Sequence, residues 1–219
     1  MNLNEEAVCI VTGASRGLGF AVAEQIGQTG AHVIAVARTV GGLEELADKI
    51  DAIGGTTTLV PLDITDEAGI QNLGKAIHDR WGRLDLWVHC AAAAAPLSPV
   101  AQLPEKDFDK VMAVNARATQ RLITMFDPLL KASEQGTALF ISDTQAGEKF
   151  QGSYGASKAA MQAIVDSYAA ETRQIGPRVI SFAPNPMPTA LRARFYPGED
   201  RSALTPCADE ARRLMAAVG

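Results

Sequence analysis

The chain has 219 residues, 47% of them hydrophobic and 21% charged, with a formal net charge of -5. That is ordinary composition for one globular domain over residues 1–219, long enough to bury a core without a disulfide or metal staple. The acidic balance, with no compensating Lys/Arg cluster, argues against a nucleic-acid partner, and no apolar run is long enough to span a membrane.

Residues 1–6 are acidic and polar, unlike a signal or transit peptide. Residues 7–11 then read as a strand, 18–28 as a helix and 32–37 as a strand. A helix over 43–53, a strand over 57–62, a helix over 67–80 and a strand over 84–90 follow. The amphipathic run 105–126 reads as one long helix that Pro128 ends or kinks. A strand over 137–142, a helix over 154–174, a strand over 178–183 and a helix over 208–217 complete the pattern.

The strands are nearly continuous apolar runs, as expected when both faces are buried. Strand–helix alternation with right-handed crossovers predicts an α/β fold, a doubly wound, Rossmann-like parallel sheet of about six strands in the order 3-2-1-4-5-6. Two stretches break the rhythm. Residues 91–99 are an alanine run ending in prolines, and 184–188 hold three prolines in five residues. Both follow strands, at the end of the sheet where such folds bind ligands.

Cys9, Cys90 and Cys207 form no CxxC pair, and His32, His78 and His89 have no metal-ligand spacing. No metal is expected, and the thiols fit a reducing, cytoplasmic compartment.

The first strand runs directly into Thr12-Gly13-Ala14-Ser15-Arg16-Gly17-Leu18-Gly19 and then into a helix. Glycines allow the tight turn and let backbone approach a pyrophosphate, and the helix N-terminus presents N–H groups to that anion. The spacing is GxxxGxG rather than GxGxxG. An acid at the end of the second strand would select NAD by binding the ribose 2′-hydroxyl. Here the strand ends Val36-Ala37-Arg38-Thr39. Arg38 with Arg16 can clamp a 2′-phosphate, so NADP(H) is expected in preference to NAD(H). Asp63, with Ile64 after it, closes the third strand, where it either accepts from the adenine amino group or caps the next helix.

Tyr154 and Lys158 lie four apart, on one helix face. An ammonium beside a phenol favours the phenolate and lowers its pKa, and a tyrosine so tuned can pass a proton to a carbonyl oxygen or take one from an alcohol.

Over essentially its whole length the chain resembles the short-chain dehydrogenase/reductase family. Thr12–Gly19 matches the family's TGxxxGxG and Tyr154–Lys158 its YxxxK, Asn115 looks like its helical asparagine, and residues 184–189 resemble its PGxxxT stretch. The resemblance implies that Tyr154 is the general acid/base and that Lys158 lowers its pKa and holds the nicotinamide ribose. It also implies that Asn115 holds a water in the proton relay, and that Thr189 and the backbone after Pro184 seat the nicotinamide carboxamide.

Three departures stand out. The family's serine, which hydrogen-bonds the substrate carbonyl, falls in Ser142-Asp143-Thr144. Ser142 is preferred by its distance to Tyr154, with Thr144 next and Asp143 also matching one alignment. A carboxylate there would repel an oxyanion unless protonated or turned away. The family's NNAG after the fourth strand is here His89-Cys90-Ala91-Ala92, where Ala91 would pass backbone near the nicotinamide ribose and Cys90 reads as a buried thiol. The family's usual seventh strand has no sequence to form it.

Residues 191–197 would form a substrate lid with Phe195 and Tyr196 as walls, and Arg192, Arg194 and Arg201 either meet an acidic substrate group or are solvated. The expectation is an NADP(H)-dependent oxidoreductase acting on a small carbonyl or secondary alcohol, as a homo-oligomer, a dimer. The alternative is an NADP(H)-binding sensor or scaffold that has lost its chemistry.

Overall fold

A computed structural model describes residues 3–143 and 147–219. Its six strands are all parallel, in the order β3-β2-β1-β4-β5-β6. They are β1 (Val8–Thr12), β2 (His32–Ala37), β3 (Thr56–Pro61), β4 (Leu86–His89), β5 (Thr137–Ile141) and β6 (Arg178–Phe182). The order matches the expectation, and β6 is one edge of the sheet.

The inner strands β1, β2, β4 and β5 are largely apolar because alternate residues feed two cores, whereas the edge strands β3 and β6 carry threonines, Arg178 and Ser181. Cys9 and Val11 of β1, Val33 and Ala35 of β2 and Leu86 and Val88 of β4 point to one face. There they meet α1 (Gly17–Gly27), α2 (Val40–Asp51) and α8 (Cys207–Val218). Val8, Ile10, Ile34, Trp87 and Phe140 point to the other face. They pack on α3 (Glu67–Trp81), α5 (Ala118–Lys131) and α6 (Gly152–Thr172). Trp87 is the hub there, edge-on to Phe126 at 5.1 Å and to Phe140 at 4.9 Å between ring centroids.

The expected single helix over 105–126 is instead two. α4 (Glu105–Met112) passes through a π-helical turn, Ala113–Arg117, into α5. Pro128 does not end α5, which runs on to Lys131. Leu129 and Leu130, just beyond the proline, are buried. Their burial, at about 1.5–3 kcal/mol each, offsets the roughly 3 kcal/mol that an interior proline costs. Among the described residues there is no seventh strand; α8 lies against α1. No described helix is long and apolar enough to cross a membrane.

The order of strands reverses at β1 and β4, and their carboxyl ends part to leave a crevice. The turn after β1, the alanine-rich loop after β4, the chain leaving β5 and the proline-rich loop after β6 all open onto it.

Candidate active site

The crevice is a cleft of about 840 Å³, within the range of ligand pockets. Of the described residues expected to bind cofactor or act in catalysis, Thr12 and Asn115 are buried behind the cleft and the others line it; Arg201 does not.

On one side is the glycine turn. Gly13 sits at φ +80°, and a Cβ there would come within 2.7 Å of the Ala91 backbone nitrogen. A Cβ at Gly19 would run into the Gly13 carbonyl oxygen. The turn is therefore pressed against the β4 loop with no room for side chains, leaving the N-terminus of α1 bare toward the cleft. Arg38 reaches Asp63 at 3.6 Å on the exposed rim. Asp63 is not the cap of α3. Its Oδ1 accepts from the Thr65 N–H and hydroxyl, and Asp66 caps the helix by accepting from the Gly69 N–H at 3.2 Å. Those Thr65 hydrogen bonds and Arg38 hold the Asp63 carboxyl below its usual range, against the opposing effect of partial burial.

On the other side is α6. Tyr154, buried in its first turn, donates its hydroxyl proton to Asp143 Oδ2 at 2.6 Å. Lys158 donates to the Ile141 carbonyl at 2.7 Å and lies 3.2 Å from Met161 Sδ. The expected lowering of the tyrosine pKa is reversed. Burial and the Asp143 carboxylate both push the phenol up, because each favours its neutral form. Burial also brings the Lys158 ammonium down to about 8, with the Asp143 charge opposing that shift. Ser142 lines the same cleft and donates its backbone N–H to the Phe182 carbonyl. The side chain that meets the tyrosine hydroxyl is Asp143. Thr144 lies outside the described residues.

Asn115 sits in the π-helical turn, a local widening that often marks functional sites. Its Oδ1 accepts from the Ala93 N–H, and its amide donates to the Ala93 carbonyl and to Ser157 Oγ, all at 2.8 Å. One amide hydrogen thus braces the alanine-rich loop and the other ties the π-helical turn to Ser157 of α6.

His89 is buried between two threonines. Thr119 donates to the Asn115 carbonyl at 2.7 Å, so it accepts from His89 Nε2 at 2.9 Å. The ring therefore carries its proton on Nε2, and Nδ1 accepts from Thr12 Oγ1 at 2.7 Å. Burial first, and the Lys158 charge second, bring the imidazole pKa down to about 3. A neutral histidine thus ties the end of β1 to the turn that carries Asn115. Burial pushes the neighbouring Cys90 thiol up to about 12, which makes it a packing group rather than a nucleophile.

The description short chain dehydrogenase is that of the family model matching residues 7–200. The chain belongs to the short-chain dehydrogenase/reductase family. An uncharacterized oxidoreductase of Staphylococcus epidermidis is 29% identical over 189 residues, 85% of this chain and 80% of that protein. A solved structure from Pseudomonas syringae, described as a short chain dehydrogenase, is 32% identical with a TM-score of 0.93, covering 100% of this chain and 91% of its own. Another, from Escherichia coli CFT073 and complexed with NADPH, is 28% identical with a TM-score of 0.90, covering 100% and 92%. The chain is accordingly an oxidoreductase of the short-chain dehydrogenase type.

Two features of this dehydrogenase escaped the sequence reading. The expected lid carries α7 (Arg192–Phe195), in which Arg192 is half-buried and Arg194 exposed, and both hold partners within the protein. Arg192 makes a two-pronged pair with Glu199, both contacts at 2.6 Å, and lies over the Tyr196 ring. Arg194 donates to the Ala94 carbonyl at 2.7 Å, and Phe195 stands 4.9 Å from the Tyr154 ring. Arg201 is exposed. The second feature is Glu210 of α8, buried and accepting from the Asn185 N–H at 3.1 Å and its amide at 2.7 Å. It fixes the proline-rich loop from behind. An acid inside an otherwise apolar helix face was the available signal.

Proposed function

We propose that this chain is an NADP(H)-dependent oxidoreductase that moves a hydride between nicotinamide and a carbonyl or secondary alcohol, with Tyr154 as general acid/base. The observation that carries the reading is that the cofactor-type glycine turn and the Tyr154 hydroxyl open onto one cleft. The site fits a dinucleotide, since Gly13 and Gly19 leave backbone where a Cβ would intrude. The N–H groups at the start of α1 would hold the pyrophosphate. Arg16 and Arg38 favour a 2′-phosphate, and no acid ends β2. Pro184 and Thr189 would bracket the nicotinamide, whose chemistry when bound is hydride donation or acceptance. Tyr154 then supplies the proton to the carbonyl oxygen, and Lys158 provides the positive charge behind it. Residues 1–219 act on this reading as one catalytic unit.

The test is Tyr154→Phe. NADPH affinity, followed by fluorescence, should stay within about twofold, while turnover of a carbonyl substrate falls about a hundred- to ten-thousand-fold. Full turnover in the variant would reject Tyr154 as the acid. A second reading rests on Asp143, which accepts a hydrogen bond from the phenol and, with burial, keeps it weakly acidic. On that reading the protein binds NADP(H) as a sensor or scaffold, and would bind NADPH without turning over any member of a broad carbonyl panel.

A further inference from the structure

The helix α8 grips the chain where it leaves β6. Arg213 lies over the Phe182 ring, 4.3 Å from its centroid, and donates to the Ala183 carbonyl at 2.7 Å. Glu210 accepts the Asn185 backbone N–H on one carboxylate oxygen and the Asn185 side-chain amide on the other. Pro184 and Pro186 carry no N–H, so the Asn185 N–H is the one backbone donor of residues 184–186. Arg213 also donates to Glu210 Oε2 at 2.7 Å. The glutamate is 1% exposed, with both oxygens engaged.

A buried carboxylate is costly, and an apolar side chain would suit a helix face that otherwise buries Ala211, Leu214 and Val218. What the carboxylate adds is direction. Its two oxygens hold the backbone and the side chain of one loop residue at once. The same helix lies against α1, and its Ala211 and Leu214 share a core with Ala23 and Ile26. Thr189, further along the proline-rich loop, comes back to the glycine turn, where a Cβ on Gly17 would stand 3.4 Å from its Cγ2. We infer that Glu210, held by Arg213, is a positioning residue for the nicotinamide. Through Asn185 it sets the proline-rich loop against the start of α1, and so sets where the nicotinamide end of the dinucleotide lies. This rests on the cofactor reading above.

Glu210 does not itself line the cleft, whereas Pro184, Asn185 and Thr189 do. Its influence therefore reaches the ligand only through the loop. The adenosine and pyrophosphate fall to the glycine turn, Arg16 and Arg38, which stand on other elements. Placement of the nicotinamide matters because hydride transfer needs reacting atoms about 3–3.5 Å apart.

Two ligands that differ only at that end test this. NADPH carries the nicotinamide, and 2′-phospho-ADP-ribose lacks it. Calorimetric titration of Glu210→Gln should show NADPH binding weakened at least about tenfold and 2′-phospho-ADP-ribose binding within about twofold of wild type. Retained binding of the fragment also shows that the variant is folded. Asn185→Ala, which removes only the side-chain half of the grip, should give the same selective loss at about threefold, and adding it to Glu210→Gln should weaken NADPH no further. If Glu210→Gln does not fold, Asn185→Ala alone decides. Equal weakening of both ligands would make Glu210 a general prop and overturn the inference, leaving the cofactor reading standing. So would unchanged NADPH affinity, or losses that add in the double variant. Failure of the wild-type protein to bind NADPH would overturn both.

Discussion

Along the cofactor side of the cleft, from β1 to β3, geometry is set by backbone, whereas on the substrate side, from β4 to α7, it is set by side chains reaching across the fold. Gly13 and Gly19 shape the first side by what they lack, and on the proposed reading the bare start of α1 would hold the pyrophosphate. On the second side His89 spans Thr12 and Thr119, Asn115 braces Ala93, and Asp143 accepts a hydrogen bond from the Tyr154 hydroxyl. A backbone-built site tolerates change in most neighbours but none at its glycines. A side-chain-built site can be retuned one residue at a time, which is how a carboxylate can stand beside the tyrosine without disturbing the sheet.

The largest effect expected from this contrast is at His89. Its folded pKa is depressed from 6.5 to about 3, so the unfolded chain takes up a proton that the folded chain refuses. The stability this residue contributes is fully present above pH 6.5 and is lost as pH falls toward 3. The loss approaches about 1.4 kcal/mol per pH unit. His89→Asn should be less stable near neutrality, where the bridge between threonines is weakened, yet should show a flatter decline on acidification. Urea unfolding of both proteins at a series of pH values measures the difference. Parallel curves would mean that the histidine is not held neutral, and that the substrate side depends less on buried side-chain links than argued above.

The same contrast explains what was legible in the sequence. Strand order followed from apolar runs and alternation, because burial of both faces leaves a mark on every residue of a strand such as Val33, Ile34, Ala35 and Val36. The glycine turn was legible because its demands are local. Asp143 was not, because the choice among neighbours depends on how the chain turns out of β5, and one residue of rotation changes which side chain meets Tyr154. The His89 bridge was equally hidden, since Thr12 lies 77 positions away and Thr119 lies 30. Pro128 misled because a local rule was overridden by the burial of Leu129 and Leu130.

Gly13→Ala tests the backbone side. At φ +80°, and with Ala91 N within 2.7 Å of the added Cβ, the substitution should cost about 1–3 kcal/mol of stability and weaken NADPH binding at least about tenfold. Gly41→Ala is the control. Nothing lies within 4 Å of a Cβ there, and it sits in α2, so stability should hold or rise slightly. Equal losses in both would show that helix α2 and the turn are alike in their tolerance, and the contrast between the two sides would fail.

The smallest effect is expected where the cofactor side does use a side chain. Arg38 is 60% exposed and faces Asp63 at 3.6 Å, so a phosphate drawn to it must compete with that carboxylate and with salt. Arg38→Ala should therefore weaken NADPH by only about tenfold and leave NADH unchanged, with the difference shrinking as ionic strength rises. Fluorescence titration with each cofactor at low and high salt reads it directly. Equal losses for both cofactors would mean that Arg38 supports the adenosine end by packing rather than by charge. Loss confined to NADPH would put the discrimination on an exposed, screened residue, whereas general dinucleotide affinity stays with the glycines and the start of α1, where no side chain is available to substitute.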